Sequence, residues 1–259
     1  YYRRLFMLPY IFLFIIGIII GSFYNVVGTR IPNGESIIKP RSHCTNCNHV
    51  LKWYELIPLI SYIIQRGKCR KCYKKLSIWY FLSELLTGLS FSFSFYLYGF
   101  DLMTIKSIVL VSIVIITIIS DINYMVILDS PIVIGTIFLV IVDYFIGGFA
   151  SLSKNLLHGF IMMLIIMTVK FIGDKVFKQE SLGWGDVKFS FLSGYILNIP
   201  ISLIYLFLGA LIALPNAIYQ SLKNKASITP FGPFLAISLM VLFWANRYVL
   251  ILINLWLKM

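Results

Sequence analysis

The sequence predicts an all-α polytopic membrane protein of about eight transmembrane helices, with a small cytoplasmic four-cysteine zinc-binding domain between helices one and two. Three observations carry that reading. Of 259 residues, 59% are hydrophobic and only 12% are charged, against roughly 25% charged in soluble domains. Mean hydropathy is +0.90. Apolar runs recur along nearly the whole chain, several of them near the ~20 residues that cross a bilayer as a helix. Strands of a membrane barrel would alternate over segments of about 10 residues, and no such alternation is seen.

The first span is expected over residues 6–27. It is too long and too glycine-patterned for a cleaved signal peptide, and no A-x-A-like site follows it. Gly17 and Gly21 form a G-x-x-x-G pair suited to close helix packing. Residues 28–77 then form the one long polar block, enough for a small extramembrane domain. Seven further spans are expected at 77–99, 103–120, 131–149, 155–173, 185–199, 201–219 and 231–256. The sixth is short, and little more than Pro200 separates it from the seventh, which predicts a tight hairpin. The divisions are a first helix over 1–28, a cysteine domain over 29–76 and a membrane core over 77–259.

Basic residues set the orientation. Ten lie in the 28–77 block, and loops on the same side add Lys170, Lys175, Lys178, Lys188, Lys223 and Lys225. Sixteen of the 22 Lys and Arg therefore share one side, which the positive-inside rule places in the cytoplasm. Arg3 and Arg4 weigh mildly the other way. Orientation and contact with anionic headgroups of the lipid bilayer account for the net charge of +12. No nucleic-acid partner is expected.

All four cysteines fall in that block, in "HCTNC" and "GKCRKC". Cys44, Cys47, Cys69 and Cys72 follow the pattern C-x2-C-x21-C-x2-C. Each short turn points two sulfurs at one ion, so structural zinc is the first reading. Disulfides or redox chemistry and unligated thiols are the alternatives, and a reducing cytoplasm disfavours the disulfides. His43 and His49 flank one knuckle as bystanders. A closed four-thiolate site has no open position for catalysis, so the metal would hold the fold of a domain too small for its own core.

Ten acidic residues remain to be sorted. Glu35, Glu55, Asp174 and Glu180 fall in polar loops, Asp101 in an outer loop, and Asp143 in the outer half of span four with a packing role. Asp121 and Asp186 differ. Asp121 closes span three after "VIITIIS", and Asp186 opens span six within "GWGDVKF". Both then fall on the cytoplasmic face, where ionisable groups at membrane depth are candidates for function. The bland alternative makes Asp186 an N-cap and Asp121 a hydrated interfacial residue.

Two carboxylates that meet can cut a peptide bond. Like charges in proximity cannot both ionise, so the pair shares one proton. The ionised partner takes a proton from water as that water attacks the carbonyl, and the protonated partner donates to the carbonyl oxygen and then to the leaving amine. Gly183 and Gly185 would let backbone or substrate approach Asp186. Lys188, two residues on, does not share its helix face and reads as an interface anchor. Two other classes stay open on these residues. A transporter would use the two aspartates as ion sites, but nearer the midplane and with broken helices. A non-enzymatic assembly protein with a zinc module would leave the paired aspartates without a role.

The order of several segments resembles one family, the type IV prepilin peptidases. "GSFYNVVGTRIP" at 21–32 is similar to the end of that family's first helix, and "GESIIKPRSHCTNC" at 34–47 to its approach to the first cysteine pair. "LKWYELIPLISYIIQRGKCRKC" at 51–72 resembles the rest of its cysteine domain. "SELLTG" at 83–88, "GWGDVK" at 183–188 with its GxGD signature, and "PFGPFLA" at 230–236 complete the likeness. The resemblance implies a membrane aspartic endopeptidase of the bacterial cytoplasmic membrane, with its active site facing the cytoplasm. Its substrates would be prepilins and pilin-like proteins held in the membrane, cut after a leader glycine. Asp186 matches the aspartate of GxGD, and Asp121 the first catalytic aspartate. The latter opens "DINYMVILDSP", in which Asp129 matches the acidic end, while Leu128 stands where the family has proline and Pro131 comes later. Some members also methylate the new N-terminus with S-adenosylmethionine, an activity tied to the cysteine domain. Gly67 and Lys68 before Cys69 mark that region here. No G-x-G-x-x-G loop on a βαβ unit supports a conventional nucleotide fold.

Overall fold

The computed structural model describes residues 2–222 and 230–256. Lys223 and Lys225, used above to orient the chain, lie outside the described residues. Among those described the protein is all-helical, with two isolated antiparallel bridges, His43 with Val50 and Lys68 with Lys75, in place of strands. Eight α-helices appear in chain order: α1 Tyr2–Arg30, α2 Ile60–Ile64, α3 Ile78–Tyr98, α4 Leu102–Tyr124, α5 Asp129–Phe177, α6 Trp184–Leu197, α7 Ile199–Leu222 and α8 Gly232–Trp256. Four of the described helices are long and apolar enough to cross a membrane, over Met7–Asn33, Leu102–Tyr124, Asp129–Phe177 and Ile199–Gln220. Among the described residues, the helices that satisfy length and apolarity together number four against the eight spans expected, with α8 entering only as the shorter apolar stretch Gly232–Asn246 and α6 only 14 residues long. Two further causes are visible. The 49-residue α5 covers expected spans four and five, and α3 carries hydroxyls and a carboxylate that lower its hydropathy.

The chain divides into two compact units at residues 123 and 124. The first is built on α1 against α3, and small residues explain the closeness. A Cβ on Gly17 would lie 2.7 Å from Gly88 Cα, and one on Gly21 would lie 2.9 Å from Thr87 Oγ1. The G-x-x-x-G pair therefore packs a helix within the chain, as small residues let backbones approach. Polar side chains hold the same interface. Ser83 Oγ donates to Asn25 Oδ1 at 2.8 Å and Ser92 Oγ to the Tyr10 carbonyl at 2.8 Å, while Ser94 joins α3 to α4 through a 2.7 Å bond with Ser107.

The second unit holds α5 to α8. α5 breaks at Gly148, whose φ of 66° and ψ of −169° suit glycine alone. Asp143 and Asn155 then meet at 3.3 Å, although twelve residues of straight helix would part them by about 18 Å. α6 packs on the second half of α5 through two glycines. A Cβ on Gly159 would meet Phe191 at 2.9 Å, and one on Gly194 would meet Met162 Cβ at 2.6 Å. Met162, Ile166 and Val187 form the buried cluster beneath that contact, which fixes the first turn of α6. α6 passes to α7 at Asn198 alone, and Pro200, read as the break, is the second residue of α7.

Candidate active site and metal centre

The segment before α5 has an irregular backbone. Met125 takes a left-handed φ of 54°, and Leu128 is extended and buried as the N-cap of α5. Asp129 opens the helix, where a carboxylate suits the positive end of the dipole. Pro131 is the third helical residue, a place where no intrahelical N–H is needed. That is how the segment ends in helix without a proline at Leu128.

Asp186 sits on the first turn of α6. It is not the N-cap: Gly183 caps, and Asp186 is the third helical residue. Its Oδ2 accepts the Gly183 N–H at 3.3 Å, and its own N–H donates to the Gly183 carbonyl at 3.1 Å. The side chain is half-buried. The two motif glycines have different reasons. Gly183 is ordinary extended backbone, φ −71° and ψ 149°. A Cβ on Gly185 would lie 2.7 Å from Ile127 Cβ, so that glycine admits the segment before α5. Lys188 pairs with Asp129, its Nζ 2.7 Å from both carboxylate oxygens. It ties the first turns of α5 and α6 together, a role that spacing alone did not suggest. Asp121 belongs to the first unit, in the last turn of α4, and is buried rather than a hydrated surface group.

One basic residue read from sequence as a loop lysine is buried. Lys170 lies inside α5 with its side chain 2% exposed, and its Nζ donates to the Leu182 carbonyl at 2.6 Å. Its signal in the sequence was the pair with Asp174 one turn on, which lies 3.1 Å away.

The four cysteines come together in the first unit. Cys44 and Cys72 sulfurs are 3.8 Å apart, Cys47 and Cys69 3.9 Å, and all four lie within 4.8 Å of one another. Metal–sulfur bonds of about 2.3 Å in a tetrahedron separate sulfurs by about 3.8 Å, whereas a disulfide needs about 2.05 Å. The set can hold one metal ion and is not paired as disulfides. Both knuckles are built alike: Cys44 N–H donates to His49 O at 2.9 Å and Cys69 N–H to Lys74 O at 3.0 Å, with Asn48 and Tyr73 left-handed at φ 53° and 58°. The N–H groups of Asn46 and Cys47 hold the Cys44 thiol below its usual range. The Lys74 N–H draws Cys72 down to about 6. The His49 N–H favours the Cys47 thiolate as well, but desolvation and its sulfur neighbours push that thiol up to about 11. Clustered thiolates repel one another, and a cation among them relieves the repulsion.

Glu55, read from sequence as a loop acid, is buried between the knuckles with 1% of its side chain exposed. It accepts the Lys52 N–H at 2.8 Å and faces His49 at 3.3 Å and Arg70 at 3.9 Å. Burial raises this carboxyl, but the Lys52 N–H and the two basic side chains outweigh it and hold it below the ordinary range. His49 is thus a partner of Glu55 from one knuckle, as Arg70 is from the other. Glu84 of α3 accepts the Leu59 N–H at 2.8 Å and docks the module on the helix. Gly67 needs its left-handed φ of 64°, and Tyr62 Oη lies 2.8 Å from where its Cβ would be. Lys68 is exposed, and the recess beside Gly67 is lined by Tyr62, Ile63, Arg66, Gly67, Ile78 and Phe81.

Two family models match the chain. Residues 15–98 are similar to the bacterial peptidase A24 N-terminal domain, and residues 108–218 to the type IV leader peptidase family. Among curated proteins, a prepilin leader peptidase/N-methyltransferase of Bacillus subtilis is 30% identical over 233 residues, 86% of this chain and 89% of that protein. One of Neisseria gonorrhoeae is 30% identical over 271 residues, covering 94% and 93%. One of Myxococcus xanthus is 36% identical over 176 residues, and the match spans 68% of this chain but about half, 52%, of that protein. No solved structure is significantly similar.

Proposed function

The chain belongs to the type IV leader peptidase family, and from that premise we propose that it removes the leader peptide of prepilins and pilin-like proteins at the cytoplasmic face of the bacterial membrane. The observation that carries this is the GxGD motif placed on a helix N-terminus, with Asp186 held half-buried by the Gly183 N–H. Asp121 is the proposed partner, on the strength of its place in "DINYMVILDSP". One carboxylate keeps a proton, the other accepts one from the attacking water, and the protonated one serves the carbonyl oxygen and the leaving amine. A buried or half-buried carboxyl suits this work, because a low dielectric strengthens the coupling of the pair. A substrate anchored in the bilayer reaches a site at this depth laterally.

The four-cysteine cluster is read as a structural zinc site. Four thiolates at tetrahedral spacing with no open position suit that ion, and bound zinc would fix the two knuckles that Glu55 already joins. The eight-span topology, with the 29–76 domain between the first two spans, remains the arrangement we favour.

Leader removal from a prepilin in membranes tests the proposal. Asp121→Asn and Asp186→Asn are each expected to abolish it, and full processing by either would sink the mechanism. The relatives' names favour a second activity, N-methylation of the new N-terminus. In the same assay with labelled S-adenosylmethionine, label is expected in mature pilin, and its absence removes this second activity while leaving the first. Gly67 lines the recess that Tyr62 and Phe81 share, and with its neighbour Lys68 it marks the region we assign to that step.

A further inference from the structure

Burying an ammonium group is costly unless it is fully paired, and Lys170 is buried. Beyond the Leu182 carbonyl at 2.6 Å and Asp174 at 3.1 Å, its Nζ lies 3.8 Å from Glu180 and 5.4 Å from the centre of the Trp184 ring. Apart from Asp174, every one of these partners stands on the short segment that runs into α6. Asp174 passes the restraint on. Its Oδ1 accepts the Ser181 N–H at 2.6 Å and the Ser181 hydroxyl at 2.8 Å. Residues 180 to 184 are therefore held from one cation.

The Leu182 carbonyl and the Gly183 N–H belong to one planar peptide unit. Lys170 is bonded to its oxygen, and Asp186 Oδ2 accepts from its N–H at 3.3 Å. A cation on the oxygen fixes the orientation of the plane. It also draws electron density from the amide and so strengthens the N–H as a donor, since linked hydrogen bonds polarise one another. We propose that Lys170 is the positioning residue for Asp186: through the Leu182–Gly183 peptide it sets where that carboxylate points and how firmly it is held. This rests on the reading of Asp186 as catalytic. Lys170 itself touches neither substrate nor water in the reaction.

The test is leader removal from a prepilin by the full chain in phosphatidylethanolamine–phosphatidylglycerol vesicles, comparing Lys170→Met, Lys170→Arg and Asp186→Asn. Lys170→Met is expected to lower kcat on the order of tenfold to a hundredfold, the scale of a small misplacement at a reacting group, with KM unchanged within about twofold. Its pH–rate profile is expected to be displaced, and Lys170→Arg to recover most of kcat. Asp186→Asn is expected to be inactive. An inactive Asp186→Asn beside a Lys170→Met of unchanged kcat and profile overturns the positioning role alone. So does a Lys170→Met whose only defect is less folded protein. An active Asp186→Asn overturns the underlying reading, whatever Lys170→Met does. Should Lys170→Met fail to accumulate, Lys170→Gln, one bond shorter and uncharged, takes the cation from the Leu182 carbonyl while keeping a polar side chain. Its kcat is then expected to fall in the same way, and an unchanged value overturns the proposal.

Discussion

At Gly185 a methyl group has nowhere to go, because Ile127 Cβ stands 2.7 Å from its position. At Gly183 the nearest atom would be Asp186 Oδ2 at 3.4 Å, an ordinary contact. Gly185→Ala is expected to cost about 1–3 kcal/mol of stability through overpacking, and to lower the initial rate of leader removal. Gly183→Ala is expected to do less on both counts. Ile127→Gly, which removes that Cβ, is expected in the Gly185→Ala background to restore part of the loss. Equal effects of the two glycine changes would contradict this division. Sequence marked both glycines alike, because a motif has no third dimension and Ile127 enters from another segment. The same limit hid Lys170 and Glu55. Each was counted among loop charges, and each is buried through partners at other positions of the chain. Asp121 and Asp186 stood out as candidates because a carboxylate at the end of an apolar run is conspicuous by itself.

Two helix connections in the second unit share one backbone conformation. Gly148 has φ 66° and ψ −169°, and Asn198 has φ 66° and ψ 170°. Only glycine enters that region without strain. The substitutions should therefore act with opposite signs. Gly148→Ala is expected to destabilise by about 1–3 kcal/mol, and Asn198→Gly to stabilise by about 1 kcal/mol, read as shifts in half-inactivation temperature of the purified enzyme. A stabilising Gly148→Ala would refute the conformational account. Hydropathy located these helices within a few residues, since their apolar runs are long. It placed a connection at 150–154 where the chain needs one glycine. The Gly147–Gly148 pair was the available signal, but an apolar setting conceals a break that uses no polar turn residues.

On the scale of the whole molecule, the first unit joins membrane helices to a module with little core of its own. Inside the module the restraints are the four sulfurs and Glu55; outside it, Glu84 and the contact of the Tyr62 and Phe81 rings, 5.5 Å between centres, hold it to α3. Chelation of the metal is expected to expose residues 34–76 to limited proteolysis, while the α1–α3 pair, packed through Gly17 and Gly88, stays resistant. Adding zinc back is expected to restore protection, and a cleavage pattern indifferent to chelator would remove the metal from the account. The effect should deepen with acid. The metal binds thiolates, and protonated thiols release it. Glu55 works in the same direction. Its carboxyl is lowered in the folded state, so its contribution is present above the ordinary carboxylate pKa and is lost as pH falls through the folded value. The spacing of the cysteines was enough to identify this module, because two short C-x-x-C turns need little else to converge. Its docking on α3 was not legible, since it runs through a backbone N–H at Leu59. The two knuckles also carry a consequence in time. Cys47 and Cys69 are 22 residues apart, so at roughly 5–20 residues per second the first pair leaves the ribosome about one to four seconds before the second. During that interval α1 has emerged and α3 has not. The nascent chain holds two unprotected thiols until the second knuckle emerges, and the four-sulfur set is complete before α3 has followed it out.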